Sequence, residues 1–396
     1  MTAASAIFYE EAVCMKPDVR AALRFAHKIR IVFRHVPCAT AKTGSLFFAA
    51  PLAGLLTALC IIVLTSNRPM QAAGAFFSLP FTSVYYAGTW LNGASLLIIA
   101  GLGAAFAMQS GNINLGGEGQ VYAGGFTAVL IMNRLLPESA VSGTAAVHGL
   151  SVVGVSAAAW VGAAAAGALG ACIPALLKHR RGINELISSF LLSAALIPLI
   201  DYAVSGPLRD QSKNLLAMPF IHERLRFTRI LPPSLLNMSA VAVIPSALLC
   251  AFFLYKTRAG QRFRICGTAP EFARYCAYPV AMSSAAGMIV SGMFHGAAGY
   301  AAVAGTYYTC HSGFYAGMGW NALSAALIAR SNPLALIPVS LFLSYIFTGT
   351  SASAVAAHTS YDAAFLVQGA VMLFISAQFV HTSCLRVGRA KKRGTA

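Results

Sequence analysis

The chain has 396 residues, 58% hydrophobic and only 10% charged, and its 28 lysines and arginines against 11 acids give a formal net charge of +17. Soluble domains carry about a quarter charged residues, so a mean hydropathy of +0.69 excludes an ordinary soluble protein and predicts an all-α polytopic membrane protein. The basic excess does not predict a nucleic-acid partner, because the positive residues sit in short blocks between apolar runs, as loop bias in a membrane protein requires.

Residues 1–45 read as a cytoplasmic segment. Val19, Ala22, Leu23, Ala26, Ile29 and Phe33 recur at helical spacing, with Arg20, Arg24, Lys28, Arg30 and Arg34 between them. This pattern fits a basic amphipathic helix on the membrane surface, or a tail that only enforces topology. No small-x-small cleavage pattern follows, so the first apolar helix is expected to stay.

The spacing of apolar runs predicts about ten spans, near 46–65, 92–109, 119–133, 150–177, 187–206, 236–255, 280–303, 318–331, 334–349 and 363–380. These make a transmembrane domain over 46–380, followed by a basic tail, 381–396. With both termini inside, the cytoplasmic segments collect most of the lysines and arginines, which favours that orientation. Segment 207–235 is then external and carries five basic residues, with Pro207, Asp210 and Glu223 suggesting an ordered element.

The stretch Ser110–Gln120, Ser-Gly-Asn-Ile-Asn-Leu-Gly-Gly-Glu-Gly-Gln, interrupts the apolar pattern between two spans. Backbone that leaves a helix in hydrocarbon must be buried in protein or line a watery cavity. Asn112, Asn114, Glu118 and Gln120 could re-satisfy the freed groups or touch a polar solute, and an ionisable Glu118 there is a candidate functional residue. The alternative is a Gly-rich loop with Glu118 wet at the surface. In the fourth span Gly154, Ala158, Gly162, Ala166 and Gly170 form a small-residue ladder suited to close helix packing. Gly292 and Gly296, with His295 beside them, form a second candidate in the seventh, where a lone His reads as a packed core residue.

Lys178-His-Arg-Arg-Gly-Ile-Asn-Glu185 ends one helix with basic residues. Gly182 breaks it, and Asn184 can cap a new helix whose first acid, Glu185, suits the positive end. The loop at 257–279 is basic, with a short helix expected after Pro270. Gly313-Phe-Tyr-Ala-Gly-Met-Gly-Trp-Asn321 is a second Gly-interrupted segment. Two such breaks in corresponding halves point to a midplane solute path, and Phe314, Tyr315 and Trp320 could stack on a flat ring or pack between helices.

These stretches carry a resemblance. Asn112–Gln120 resembles the Asn-Ile-Gly-x-Glu-Gly-Gln signature of integral-membrane permease subunits of bacterial ABC importers, in the branch for nucleosides, simple sugars and riboflavin. Leu115 stands where Ile is usual. The superfamily also includes the ribose and branched-chain amino-acid permeases. Gly182–Ser188 resembles its Gly-x-Asn-Glu-[VL]-Ile-[ST] segment, which in that family couples the permease to its ATPase. The loop carrying Arg264, Gly267, Pro270, Ala273, Arg274 and Tyr275 is similar to the family's Arg-Ala-x-Gly-x-Asn-Pro-x-Ala-Ala-Arg-Tyr. It departs at Ala269, Phe272 and Ala277. Gly313–Asn321, and the later Asn332-Pro333, match a Gly-Phe-x-Gly segment and the Asn-Pro that follows it.

The resemblance implies a translocation path at Asn112, Asn114, Glu118, Gln120, Phe314, Tyr315 and Trp320. It implies ATPase coupling through 178–189 and 257–279, with Gly182, Asn184, Glu185, Arg264, Gly267, Pro270 and Arg274 as the matching residues. Its implied partners are a cytoplasmic ATP-binding subunit, a second permease chain of the same or a homologous kind, and a periplasmic or lipoprotein solute-binding protein, in the inner membrane. No Walker A occurs in the chain, so any ATP is used by the partner and no cofactor is expected here. The nine cysteines show no C-x-x-C or zinc spacing, so no metal is expected. No H-E-x-x-H or nucleophile motif suggests an enzyme. The competing reading is a self-contained ion-coupled transporter, for which only Glu118, Asp201 and His295 offer buried ionisable groups.

Overall fold

Apolar runs that must satisfy every backbone group without water fold as helices, and in the computed structural model, which describes residues 55–64, 66, 68–137, 152–357, 369, 370 and 373, the regular elements are helices joined by non-helical segments. Among the described residues twelve α-helices follow one another: α1 (Leu55–Leu64), α2 (Pro69–Thr82), α3 (Val84–Gln109), α4 (Gly117–Leu135), α5 (Val152–Arg181), α6 (Glu185–Ser205), α7 (Ser239–Lys256), α8 (Arg258–Thr268), α9 (Pro270–Tyr275), α10 (Val280–Ala302), α11 (Met318–Ile328) and α12 (Pro333–Ala356). Among the described residues there is no strand, only two isolated bridges. Among the described residues six helices are long and apolar enough to cross a membrane: α3, α5, α6, α7, α10 with its π-helical extension to Tyr307, and α12. The N-terminal segment 1–45, most of the 363–380 span and the basic tail lie outside the described residues.

The helix α2 is a departure from the pattern expected of the sequence. Its Ser78, Pro80 and Thr82 break the apolar run. Yet Ser78 and Thr82 each donate a side-chain hydrogen bond to the carbonyl four residues back, at 2.8 and 3.0 Å, so the helix absorbs its own polar groups. Pro69 opens it at a position where no N–H is needed. Phe76, fully buried, meets Tyr345 of α12 edge-on at 5.7 Å.

Helix α3 is buried nearly all round and lies against α7, α10, α11 and α12, while α10 lies against α3, α4 and α5. At the α5–α10 crossing backbone meets backbone. A Cβ on Gly167 would collide with the carbonyl oxygen of Gly292, and one on Gly292 with that of Gly167. The small-residue ladder of α5 is present one residue over from its expected register. The buried row is Val155, Ala159, Ala163, Gly167, Ala171 and Ala175, while of the expected ladder Gly170 is buried and Gly154, Ala158, Gly162 and Ala166 are only partly covered. An Ala-rich helix offers several such rows, and the one with glycine opposite glycine wins because backbones can approach most closely there.

Segment 207–235 folds onto the chain that follows α10. Met218, Ile221 and Phe227 donate their N–H groups to the carbonyls of Cys310, Tyr308 and Ala304 at 3.0, 2.9 and 2.9 Å, and Ser312 donates to Leu216 at 3.0 Å. Asn237 donates to Asn92 at 2.8 Å and Asn92 to Thr306 at 2.9 Å, pinning this segment to α3.

Filling the α5–α10 contact is the test of this packing. Gly292→Leu should lower stability by about 1–3 kcal/mol or more, as overpacking does, read as a fall in thermal unfolding temperature in detergent. Gly74→Ala, where a Cβ meets nothing within 4 Å, should leave it unchanged or slightly higher.

Candidate functional site

The first break begins where α3 ends. The N–H groups of Ser110 and Asn112 bond to Ala107 at 3.1 and 2.9 Å, and Gly111 at φ +79° turns the chain back. Residues 112–116 then run in extended form beside α10. Asn112 sits at Ser284, Asn114 at Ser291 and Gly117 at His295, a rise of about 16 Å along that helix. Asn112 also lies beside Lys178 in the last turn of α5, and Gly119 beside Ser193, about 12 Å into α6. The break therefore runs from the end of the bundle nearest the 182–185 loop to about the middle of α10.

Many of the polar groups freed by the break have protein partners. Leu115 and Gly119 donate their N–H groups to Ser189 Oγ and Ser193 Oγ at 3.1 and 2.8 Å. Asn114, buried, donates to Gln120 Oε1 at 2.8 Å and Ser291 Oγ at 3.0 Å, and accepts from Gly116 N and Gln120 Nε2 at 2.9 and 3.2 Å. Asn112 donates to Ser110 Oγ and the Ser284 carbonyl at 2.7 and 2.9 Å, and accepts from Lys178 Nζ and Ser284 Oγ at 2.6 and 2.8 Å. The buried amides of Asn112, Asn114 and Gln120 are thus spent on the protein in this conformation. His295 is buried with Nδ1 against the Ser291 carbonyl at 2.8 Å. Ser189 and Ser193, four apart on α6, were not singled out from the sequence, although a polar pair at i, i+4 on an apolar helix is a visible signal.

Glu118 joins the two breaks. From the first turn of α4 its Oε1 accepts the N–H of Gly317 at 2.8 Å, with the Trp320 side chain near its carboxylate. Gly317 is the N-cap of α11, so an acid meets the positive end of a helix. Tyr122, one turn on, stacks beside Tyr315 with centroids 4.6 Å apart and meets Phe314 edge-on at 5.5 Å. Trp320 lies 6.3 Å from Phe190 of α6. Phe314 is buried, whereas Glu118, Tyr315 and Trp320 are half-buried. Asp201 near the end of α6 accepts from Tyr122 Oη at 2.6 Å and Ser312 Oγ at 2.7 Å, so acids from two helices hold the second break. Among the described residues no three or more His, Cys, Asp or Glu gather as a metal site.

The residues matched to coupling lie at the end of the bundle where α3 stops. Gly182, exposed at φ +66°, ends α5; Asn184 caps α6 by accepting from Leu186 N at 2.9 Å. Glu185 pairs with Lys178 at 2.9 Å. Gly267 in α8 touches the first break directly, since a Cβ on it would collide with the Gln109 carbonyl, and one on Gly111 would lie 2.9 Å from the Gly267 carbonyl. The Arg264 guanidinium sits 4.7 Å from the Tyr255 ring centroid. Pro270 opens α9, and Arg274 pairs with exposed Glu271 at 2.6 Å.

Removing the hub of the amide network should cost folding stability. Asn114→Leu leaves Gly116 N and the Gln120 amide without their buried partner, a loss of about 1–3 kcal/mol or more, measured as a lower unfolding temperature. Ser78→Ala, on a part of α2 remote from the break, should show no comparable loss.

The chain matches the family model described as branched-chain amino acid transport system / permease component over residues 86–376. It is 36% identical over 339 residues to a probable riboflavin import permease protein of Treponema pallidum (strain Nichols), covering 83% of this chain and 84% of that one. It is 23% identical to a guanosine ABC transporter permease protein of Bacillus subtilis (strain 168), covering 87% and 96%. With a glucose ABC transporter permease protein of Haloferax volcanii it shares 26% identity, covering 83% and 87%. A model match across most of the bundle, including both breaks and both loops beside Gln109, together with a relative at that identity, settles membership: the chain belongs to the family of permease components of ABC transport systems.

Proposed function

We propose that this permease subunit forms the translocation path of an ATP-driven importer for a small, ring-bearing, hydroxyl-rich solute, with riboflavin ahead of nucleosides and simple sugars. The observation that carries it is the meeting of two non-helical breaks at Glu118, beside the aromatic group Tyr122, Phe314, Tyr315 and Trp320. A flat ring suits such a surface, and the relative at 36% identity is a probable riboflavin permease. In this reading Glu118, Tyr315 and Trp320 border the path. Asn112, Asn114 and Gln120 hold its wall and are released to the solute when the helices shift. Few charges line the path, so binding stays weak enough for release.

ATP hydrolysis belongs to a separate cytoplasmic subunit, which docks on Gly182–Ser189 and Arg264–Tyr275. Closure of its nucleotide sites displaces those segments and tilts the helices between outward-open and inward-open states. Gly182, Asn184 and Glu185 supply one contact, and Arg264, Gly267, Pro270 and Arg274 the other. A second permease chain completes the path, and a solute-binding protein delivers cargo to the external segment 207–235. The domain spans 46–380 with about ten helices crossing the inner membrane. Residues 1–45 and 381–396 lie at its cytoplasmic face, where their basic residues agree with loop bias. An ion-coupled carrier needs titrating groups free to cycle, and the ties of Glu118, Asp201 and His295 to protein donors and acceptors do not favour it.

The test is purification of the tagged chain from its host in mild detergent, reconstitution into liposomes, and uptake of riboflavin, guanosine and glucose. A co-purifying ATP-hydrolysing subunit and ATP-dependent riboflavin uptake are expected. Ion-gradient-driven uptake by the chain alone would sink the reading. In the same system Glu185→Arg, which sets two cations side by side, should reduce uptake at least about tenfold, within the span of typical coupling free energies, without loss of membrane insertion. Undiminished uptake would remove 178–189 from the coupling path.

A further inference from the structure

Lys178 stands in the last turn of α5, ahead of the segment that carries the family resemblance. Its ammonium lies 2.9 Å from Oε1 of Glu185, the first residue of α6, and 2.6 Å from Oδ1 of Asn112, the third residue of the first break. The same Asn112 oxygen accepts from Ser284 Oγ at 2.8 Å, and the Asn112 amide nitrogen donates to the Ser284 carbonyl at 2.9 Å and to Ser110 Oγ at 2.7 Å. One side chain therefore connects the start of α6, the end of α5, the break and the start of α10.

We propose that Lys178 is a positioning residue that transmits movement of the 182–189 segment to the first break, a role that rests on the permease reading above. An ammonium has three donors and no acceptor, and its bonds to Glu185 and Asn112 are each charge-assisted and sensitive to length. When α6 shifts at its first turn, the ammonium either follows Glu185 and lets go of Asn112 or drags the break with it. Release of Asn112 frees one of the two contacts on its amide oxygen, which loosens the turn at Ser110–Asn112 from the end of α5 while its bonds to Ser284 remain. The pair is partly open to solvent, with side chains 34% and 14% exposed, so it adds little to stability. Its value lies in geometry, and the fold is expected to tolerate its loss.

The experiment uses the whole complex with its ATP-binding subunit in liposomes, with whichever of riboflavin, guanosine or glucose the wild type accumulates with ATP as the probe. Lys178→Met should keep wild-type membrane insertion, unfolding temperature and recovery of the ATP-binding subunit. ATP should still be hydrolysed, while solute moved per ATP falls about tenfold, as the loss of a coupling free energy of ordinary size predicts. Lys178→Arg, which can reach both oxygens, should recover most of the uptake. The exchange Lys178→Glu with Glu185→Lys restores the ion pair but sets a carboxylate against Asn112 Oδ1, and should stay defective. Wild-type solute-to-ATP ratio in Lys178→Met overturns the proposal, as does rescue by the exchange, which would mean that the ion pair alone matters. Loss of the ATP-binding subunit from Lys178→Met also overturns it, by making Lys178 a docking contact. A wild-type complex that moves none of the three solutes with ATP removes the permease reading and this role together.

Discussion

The constraint on which the rest of this protein depends is the cost of a peptide group that leaves a helix where no water can reach it. Between Gln109 and Gly117 the helical hydrogen-bond ladder is interrupted, and each group so freed, left alone, costs several kcal/mol in hydrocarbon. The fold answers with two asparagines, a glutamine and two serines supplied by α6. Because Asn114 is both donor and acceptor to Gln120 and also reaches Ser291, the break is held as one connected network rather than as a loop. Such networks are rigid when complete and unstable when one member is missing.

That network sets the position of everything around it. With the break fixed, α4 starts beside His295, and its first acid, Glu118, points at the N-terminus of α11. The second break is therefore anchored to the first through one carboxylate, and from the α6 side through Asp201. The aromatic residues of the second break come to lie on Tyr122 because α4 places that ring one turn above Glu118. A solute path proposed here would be bordered by residues whose positions all trace back to a turn at Ser110–Asn112.

The same turn is where the two loops matched to the ATPase-coupling motifs converge. Gly267 presses on Gly111 from one side, and Lys178 holds Asn112 from the other while pairing with Glu185. Packed interfaces transmit displacement because they have discrete arrangements rather than continuous ones. A contact of backbone on backbone, with no side chain to yield, is the stiffest version of this. The proximity gives physical content to a coupling role that the motifs alone only name.

Much of the architecture was legible in the residues, because hydrocarbon leaves the chain few choices. Apolar length predicts helices, glycine and amide residues mark where a helix breaks, and basic blocks mark helix ends. The cap at Asn184, the helix start at Pro270 and the stop at Gly182 are local chemistry, so they could be read from neighbouring residues. The helix at Pro69–Thr82 was not legible, since its serine and threonine look like breakers until their hydroxyls fold back onto the helix. What only the tertiary structure decided is which partners the polar residues take. Asn112 with Lys178 is 66 residues away, Glu118 with Gly317 is 199 away, and Asn114 with Ser291 is 177 away. The row of α5 that packs on α10 was settled the same way, by glycines facing one another across the crossing. Periodicity identifies a face that can pack, but the register and the pairings come from steric and hydrogen-bond complementarity between helices distant in sequence, and no single stretch of the chain contains that information.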